Sequence, residues 1–442
     1  MARIFPFRAW RYNLGKVKLQ DVATQPYDKI SPAMQQAYYE RSPYNLVRII
    51  LGLPELFDAE RGESVYSRAA AHFNQWRKDG VLMQEKDPCV FDYSQRFTVP
   101  GTAIVKERRG FIALGQLHDY ADKVVFRHEQ TLSKPKGDRL NLLKATRAHF
   151  GQIFMLYSDP AGSIDQLLFD SSTAPDGEAT DEYGVLHRFW RVNEPAIINK
   201  LITQMADKKL IIADGHHRYE TALNYSKEHD PANHAAHSER NSNELPQPQW
   251  PEAAVMMTFV NMDSDGLLIL PTHRVVHSLA GFDAAKFLTA AGEFFAIQNL
   301  EAADAATHLD QLAKEKGTAF IAVTRNAAHL LRSKNSEVDK LLADLPPRQR
   351  NLDLTHLHSI LLDRILGLDA EKVREQTNIR YLRDAVEAVD QPRRGEADIT
   401  FLTNPVSMEQ LKEVAFAGDV MPQKSTDFFP KLLSGLTIYA LD

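Results

Sequence analysis

The stretch KLIIADGHHRYETAL, Lys209 to Leu223, sets an apolar run against Asp214-Gly215 and follows it at once with His216, His217 and Arg218. The run reads as a buried strand, and the residues after the glycine have the spacing of a helix. On that helix Tyr219, Ala222, Leu223 and Ser226 fall on one stripe facing a core, and His217 and Thr221 fall on another. Glycine lets the chain turn sharply and lets other groups approach the backbone. The first N–H groups of a helix have no partner inside it, and with the helix dipole they favour an anion. Arg218 brings a planar fork matched to phosphate oxygens, and the imidazoles bring donors or a proton carrier near neutral pH. Chemically the turn reads as a phosphate site. The structural alternative is an Asp cap whose histidines satisfy loop carbonyls. A zinc site is disfavoured, because His216 and His217 are adjacent and no His-Glu-x-x-His pattern is present.

Outward from this turn the chain alternates strands and helices. The run KVVFRHE reads as a strand, KGDRLNLLKATRAHFG as a helix stopping near Gly151, and QIFMLYSD as a strand. VLHRFWRV is a strand and EPAIINKLITQMAD a helix. Before them, Ser31-Pro32 marks a helix start and SVYSRAAAHFNQWRKDG a helix ending at Gly80, followed by strands in CVFDYSQRFTV and RGFIALGQL. After them, residues 227–252 are polar and aperiodic and read as a loop; the spacing of His229, His234 and His237 matches no zinc signature. AVMMTFVNM and GLLIL suggest a hairpin around Asp265-Gly266. TAFIAVT and ADITFLT read as strands, DLTHLHSILLDRILG and MEQLKEVAFAG as helices. His356 and His358 are read as packing or surface residues. The alternation implies a mixed α/β (α+β) fold. The expected segments are 1–120, an N-terminal α/β segment; 121–228, a phosphate-binding core; 229–252, a polar loop; and 253–442, a C-terminal α/β segment.

Composition narrows the functional classes. The 442 residues suggest roughly two to three domains, and 44% hydrophobic with 25% charged residues is ordinary for a globular protein. Lys and Arg number 52 against 58 Asp and Glu, a formal charge of −6. Such a balance disfavours a protein that grips long nucleic acid by charge. No apolar run reaches the ~18 residues of a membrane span, and MARIFPFRAW lacks a signal-peptide apolar region. A membrane partner is not expected, and the expected location is the cytoplasm. The single cysteine, Cys89, excludes an internal disulfide and reads as a buried thiol.

Further candidates lie elsewhere. Residues 127–150 carry six cations, Arg127, Lys134, Lys136, Arg139, Lys144 and Arg147, against Glu129 and Asp138. This island suits a nucleotide or phosphorylated metabolite; for Lys144 and Arg147 a solvated helix face is the preferred reading. Gly418 to Ser425 approaches the phosphate-binding loop pattern G-x-x-x-x-G-K-[ST], yet Gln423 replaces the second glycine and Pro422 intervenes, so that motif is rejected. Lys424, Ser425 and Thr426 remain candidate phosphate donors through their side chains, as do His273 and Arg274 in LPTHRVV.

ADGHHRYETAL resembles the hallmark of domain-of-unknown-function family 1015. QPYD, SPYNLVR, RHEQTLSKPKGDRLNLL, LPTHRVV and MPQKSTDFFPKLLSGL resemble further blocks of that family, in the right order along the chain. Asp-Gly-His-His-Arg after a strand also resembles the phosphate-binding box of the ParB/sulfiredoxin superfamily, and within it is most similar to the free-serine kinases. That second resemblance implies a ParB/sulfiredoxin-like core with additional α/β segments before and after it. It also implies phosphoryl transfer between ATP or ADP and a small hydroxyl compound, with serine first and Mg²⁺ bridging phosphates. Glu129 of His128-Glu129 would be the base. Asp214, His216 and His217 would assist catalysis, with Asp214 orienting a histidine or helping to hold Mg²⁺. Gly215, Arg218, Thr221, His128, Lys134, Arg139, His273, Arg274, Lys424, Ser425 and Thr426 would line the nucleotide and phosphate site. The interval from Glu129 to Asp214 is longer than in the small superfamily members. A ParB-like nucleic-acid-binding protein and a non-catalytic sensor of a phosphorylated metabolite are the rival expectations, and a homo-oligomer is compatible with the sequence.

Overall fold

Continuous apolar runs become strands covered on both faces, and the longest of them organise the structure. The computed structural model describes residues 1–55, 58–129, 133–169, 173–230, 245–301 and 304–442. The chain is mixed α/β and forms two compact units: Met1–Phe126, Thr131–Leu268 and Pro430–Asp442 make the first, Arg127–Gln130 and Ile269–Phe429 the second. The sequence boundaries near 120 and 252 do not coincide with these limits. Strands from segments 1–120, 121–228 and 253–442 share one sheet, and the last thirteen residues belong to the same unit.

In the first unit the strands are β1 (Ile4–Phe5), β2 (Val90–Thr98), β3 (Val105–Gln116), β4 (Val125–Phe126), β5 (Ile153–Tyr157), β6 (Gly177–Thr180), β7 (Leu186–Val192), β8 (Leu210–Asp214) and β9 (Ala254–Asn261). Among the described residues they form a nine-stranded sheet in the order β4-β8-β5-β9-β3-β2-β7-β6, with β1 also paired to β3. The pairs β4–β8 and β5–β9 are parallel. Strand β9 lies between β5 and β3, so the expected hairpin with Leu268–Leu270 does not form. The hydrophobic content of β9 is spent on a central position instead.

One face of this sheet is apolar. Phe111, Met155, Tyr157, Met257 and Phe259 pack there with Ile198, Leu201 and Met205 of α3 (Pro195–Met205) and with Tyr219, Ala222 and Leu223 of α4 (His216–Glu228). The stripe centred on Tyr219 is therefore the core face, as the spacing indicates. The neighbouring positions of β2 and β3 point the other way and are polar yet buried: Tyr93, Gln95 and Arg108. The expected helix over 136–151 runs from Ser133 to Thr146, and Ala148–His149 already pairs with Tyr439–Ala440.

The second unit has a six-stranded antiparallel sheet. Its strands are β10 (His273–Val276), β11 (Phe295–Leu300), β12 (Ala319–Val323), β13 (Ala328–Ser333), β14 (Ile379–Leu382) and β15 (Ile399–Leu402), in the order β11-β13-β12-β15-β10-β14. Its core joins Val275, Ile321, Leu330 and Leu402 to Ala305, Leu312, Ala388 and Val389 of the covering helices. The helix expected in DLTHLHSILLDRILG starts as an α-turn at Asp353–His356 and continues as a wider π-type winding over Leu357–Ile365.

Close approach of backbones in the first sheet gives a stability test. A Cβ added at Gly110 of β3 would overlap the carbonyl oxygen of Phe259 and lie 2.8 Å from Cγ2 of Val260. Both belong to central strand β9, which has no room to retreat. Gly110→Ala is expected to destabilise the first unit by about 1–3 kcal/mol, seen as an earlier urea midpoint; an unchanged midpoint would show that the strand yields.

Candidate functional site

The register of β8 against β5 shifts between Ile212 and Asp214. Such an irregularity re-aims the side chain that follows it. Gly215 then takes φ of +93°, a conformation that favours glycine, and α4 begins without a side-chain cap. A Cβ at Gly215 would stand 3.0 Å from Nη2 of Arg218, and one at Gly151 would stand 3.1 Å from Nη1. The guanidinium thus fits between two glycines. Its Nη2 donates to Oδ2 of Asp214 at 2.9 Å, and its Nη1 donates to the carbonyl of Gln152. Two donors of the expected phosphate fork are therefore committed inside the protein, and the Arg218 side chain is only 14% exposed.

The other oxygen of Asp214 faces Nζ of Lys431 at 3.6 Å; the lysine side chain is 8% exposed and that of Asp214 24%. Burial would raise the Asp214 pKa, yet Lys431, Arg218, Lys29 and His216 outweigh it and hold the carboxyl well below its usual range. Lys431 and Lys29 were not singled out from the sequence. The available signal was their place inside or beside the quoted blocks: Lys29 directly follows QPYD, and Lys431 lies within MPQKSTDFFPKLLSGL.

Buried polar bonds set both lysines in place. Arg108 donates from Nη2 to the carbonyl of Pro430 at 2.5 Å and from Nε to Oε1 of Gln95 at 3.0 Å. Gln95 in turn donates to the carbonyl of Lys431 at 2.7 Å. The amide of Leu433 donates to the Tyr93 hydroxyl, which lies 2.6 Å from Nδ1 of His187, while Nε2 of His187 lies 3.2 Å from Oδ2 of Asp181. A carboxylate only accepts, so the His187 proton is on Nε2 and Tyr93 donates to Nδ1. Asp181 also accepts from Gln25 at 2.8 Å, which anchors the QPYD turn. Tyr27 of that turn carries Arg139 over its ring at 3.9 Å, and its hydroxyl is influenced by Arg218 and Asp214.

A cavity of about 60 Å³ lies beside Arg218, lined among others by Tyr27, Arg139, Phe150, Thr221 and Ser434. The hydroxyl of Thr221 is buried, against the sequence reading of an outward face, and has no hydrogen-bond partner among the described residues. This volume holds a few water molecules and is far below the ~300 Å³ or more of a ligand pocket for a nucleoside-sized molecule.

The remaining candidates meet in the second unit. Nε2 of His128 lies 2.7 Å from Oγ1 of Thr426, and the His128 carbonyl accepts from the amide of Met421 at 2.8 Å. Oε1 of Glu129 accepts from the amide of Lys424 at 2.8 Å. The Lys424 carbonyl accepts from Nη2 of Arg274 at 3.0 Å. Ser425 donates its hydroxyl to the carbonyl of Pro422 at 2.5 Å. The hydroxyls of Ser425 and Thr426, expected as phosphate donors, are thus engaged within the protein. Burial, then Arg274, pushes His273 down to about 4. Its neutral ring accepts from the amide of Thr403 on Nδ1 at 3.3 Å, so its proton is on Nε2.

The positive island disperses. Lys144 pairs with Glu228 at 3.1 Å, Arg147 with Glu252 at 2.9 Å, and Arg139 with Asp138. The side chains of Lys134 and Lys136, and residues His234 and His237, lie outside the described ones. Among the described residues no three His, Cys, Asp or Glu side chains converge to hold a metal ion. Asp214 is bound to two cations, so its surroundings do not fit a resident Mg²⁺, which needs anionic and neutral oxygens. No helix among the described residues is long and apolar enough to cross a membrane.

The family described as "Protein of unknown function (DUF1015)" matches residues 4–355. The chain belongs to this family. The MPQKST block lies beyond the matched residues. No curated protein matches the chain. Among solved structures it is similar to a conserved hypothetical protein from Pyrococcus furiosus, at 11% identity over 74% of this chain and 94% of that one, with a TM-score of 0.35. It is similar to a free serine kinase in complex with AMP, at 13% identity over 74% and 92%, with a TM-score of 0.33. It is also similar to SbnI with C-terminal truncation from Staphylococcus aureus, at 10% identity over 74% and 87%, with a TM-score of 0.35.

The charge balance at Asp214 has a measurable consequence. Its folded pKa is depressed, so its contribution to stability is complete above the unfolded pKa of about 4 and is lost as pH falls toward the lower folded value. Lys431→Met is expected to destabilise the protein at pH 7 by about 1–3 kcal/mol, between the exposed and fully buried cases. The gap between wild type and variant should close as pH falls below about 4. A gap independent of pH would mean that the lysine acts through packing alone.

Proposed function

We propose that the protein is a phosphotransferase that moves a phosphoryl group between a nucleotide and a small hydroxyl metabolite, with serine or phosphoserine favoured. The observation that carries this reading is the charge at the β8–α4 turn. One carboxylate, Asp214, is surrounded by Lys431, Arg218 and Lys29. These charges meet in a half-buried place, where charge interactions are stronger than in water. The thirteen-residue helix α4 adds its N-terminal potential at the same point. A polyanion such as the phosphates of ATP or ADP answers both. The pairing with Asp214 and Gln152 holds Arg218 in one orientation, which reduces the ordering cost when an anion arrives.

The resemblance to free-serine kinases supplies the chemistry. The acceptor oxygen forms its bond to phosphorus, the bond to the nucleotide's leaving oxygen breaks, and the hydroxyl proton passes to Glu129. Magnesium in this reading arrives with the nucleotide and is held by its phosphates.

Pyrophosphate, ADP and ATP are expected to raise the melting temperature of the full chain, by the equivalent of about 2.7 kcal/mol at one hundred times Kd. Arg218→Met should weaken pyrophosphate at least tenfold. Glu129→Gln should abolish turnover of serine with ATP or ADP while leaving nucleotide binding in place. Absence of any stabilisation by phosphates would remove the anion site. Binding without turnover in the wild type would convert the reading to that of a sensor.

A further inference from the structure

Two buried polar atoms on neighbouring strands of the second unit, Nε of Arg274 and the hydroxyl of Tyr381, have no hydrogen-bond partner among the described residues, and Nε2 of His358 in the same unit has none either. Arg274 on β10 and Tyr381 on β14 are direct register partners, so both side chains leave the same face of the sheet. The guanidinium carbon of Arg274 stands 5.4 Å from the centroid of the Tyr381 ring. The charge of Arg274 acts on His358, and that of Glu129 acts on both Arg274 and Tyr381. His358 is carried by the π-type winding of Leu357–Ile365. Such windings recur where a helix side chain is re-aimed for function.

An unmet buried polar group is costly, so two on neighbouring strands call for an occupant. The chemistry of that occupant can be read from the atoms. Arg274 is wholly buried, and its Nη atoms are fixed by the carbonyls of Thr272 and Lys424, which sets the direction of its Nε–H. Burial pushes the Tyr381 phenol up to about 12, so it keeps its proton and can donate. Burial, then Arg274, pushes the His358 imidazole down to about 3, so it stays neutral. Arg274 and Tyr381 thus offer hydrogen-bond donors around one positive charge. Glu129 beside it is an acceptor.

We propose that Arg274 and Tyr381 bind the carboxylate of a small hydroxy or amino acid, whose hydroxyl or ammonium donates to Glu129. A carboxylate fits better than a phosphate dianion: Glu129 already sets one negative charge beside the guanidinium, and a carboxylate adds one more where a dianion adds two. This rests on the phosphotransferase reading in one respect only, that the bound acid is the acceptor. It then restricts the acceptor to carboxylated compounds.

The test is calorimetric titration of the full chain with L-serine, D-glycerate and ethanolamine, the last being serine without its carboxylate. At least one of the two acids is expected to bind, and ethanolamine at least tenfold more weakly. Tyr381→Phe should weaken the acid about tenfold without lowering the melting temperature, because the hydroxyl removed has no hydrogen-bond partner among the described residues. Arg274→Lys, which keeps the charge and loses the Nε–H, should weaken it further. Neither acid binding, ethanolamine binding equally well, or Tyr381→Phe matching the wild type in affinity would each overturn the assignment. Pyrophosphate titrated into the same preparations separates the two readings. If it binds where no acid does, the carboxylate pocket falls and the anion site stands; the opposite pattern removes the anion site and keeps the pocket.

Discussion

A carboxylate that is three-quarters withdrawn from water stays ionised only if positive charge is brought to it, and that requirement organises much of the first unit. Asp214 sits at the end of strand β8, second from the edge of the sheet, where the register breaks and Gly215 turns the chain. Arg218 reaches it from the first turn of the helix that follows the strand, a local contact. Lys431 arrives from 217 residues away and needs a dedicated scaffold. The second face of the sheet provides it: Arg108, Gln95 and Tyr93, polar residues in the middle of strands, hold the carbonyls and amide of Pro430, Lys431 and Leu433. Polar side chains in a sheet interior are costly unless every bond is made. Their presence here follows from the need to fix a returning segment that carries a cation.

The same logic accounts for the glycines around the guanidinium. Gly151 and Gly215 come from different elements, and each leaves the space that a Cβ would otherwise occupy against Arg218. A planar cation with both edges fixed gives a defined electrostatic surface at the helix start. The charge at this turn therefore does not depend on flexible surface lysines, whose contribution salt would screen. It is built from groups with low exposure, and so it should survive at the ionic strength of a cell.

Much of this was legible in the sequence, and the limits have physical causes. Strand β8, the turn and helix α4 were readable because an apolar run, a glycine and a 3.6-residue stripe around Tyr219 all occur within fifteen residues. The central strands β5 and β9 were readable as continuous apolar runs. What they pair with was not: β9 was taken for half of a hairpin with Leu268–Leu270 because turn residues lie between them, whereas partner choice depends on which non-local edge each strand covers. Arg218 was expected to present its fork, and nothing local revealed that the Gln152 carbonyl would be waiting for it. Lys144 and Arg147, read as a solvated helix face, are half exposed and pair with Glu228 and Glu252. Thr221 was assigned outward by its angle on the helix, yet α4 is covered on more than one side, and a wheel cannot show a second neighbour.

The second unit shows how far sequence separation misleads. His128-Glu129, Arg274 and Lys424 span nearly 300 residues, and a backbone amide, a carbonyl and a guanidinium join them in one chain of bonds: Glu129 accepts from the Lys424 amide, and the Lys424 carbonyl accepts from Arg274. Lys424 takes a positive φ, unusual for a residue with a side chain, which its engagement on both sides of the peptide helps to hold. The lysine matters here through its backbone, whereas the motif comparison had valued its ammonium. Tyr381 and His358 were invisible to motif reasoning for a related reason. A tyrosine in a strand and a histidine in an apolar helix are ordinary packing residues until one asks where their polar atoms end. A buried donor with nowhere to donate is information about what is missing, and it appears only when three dimensions are counted atom by atom.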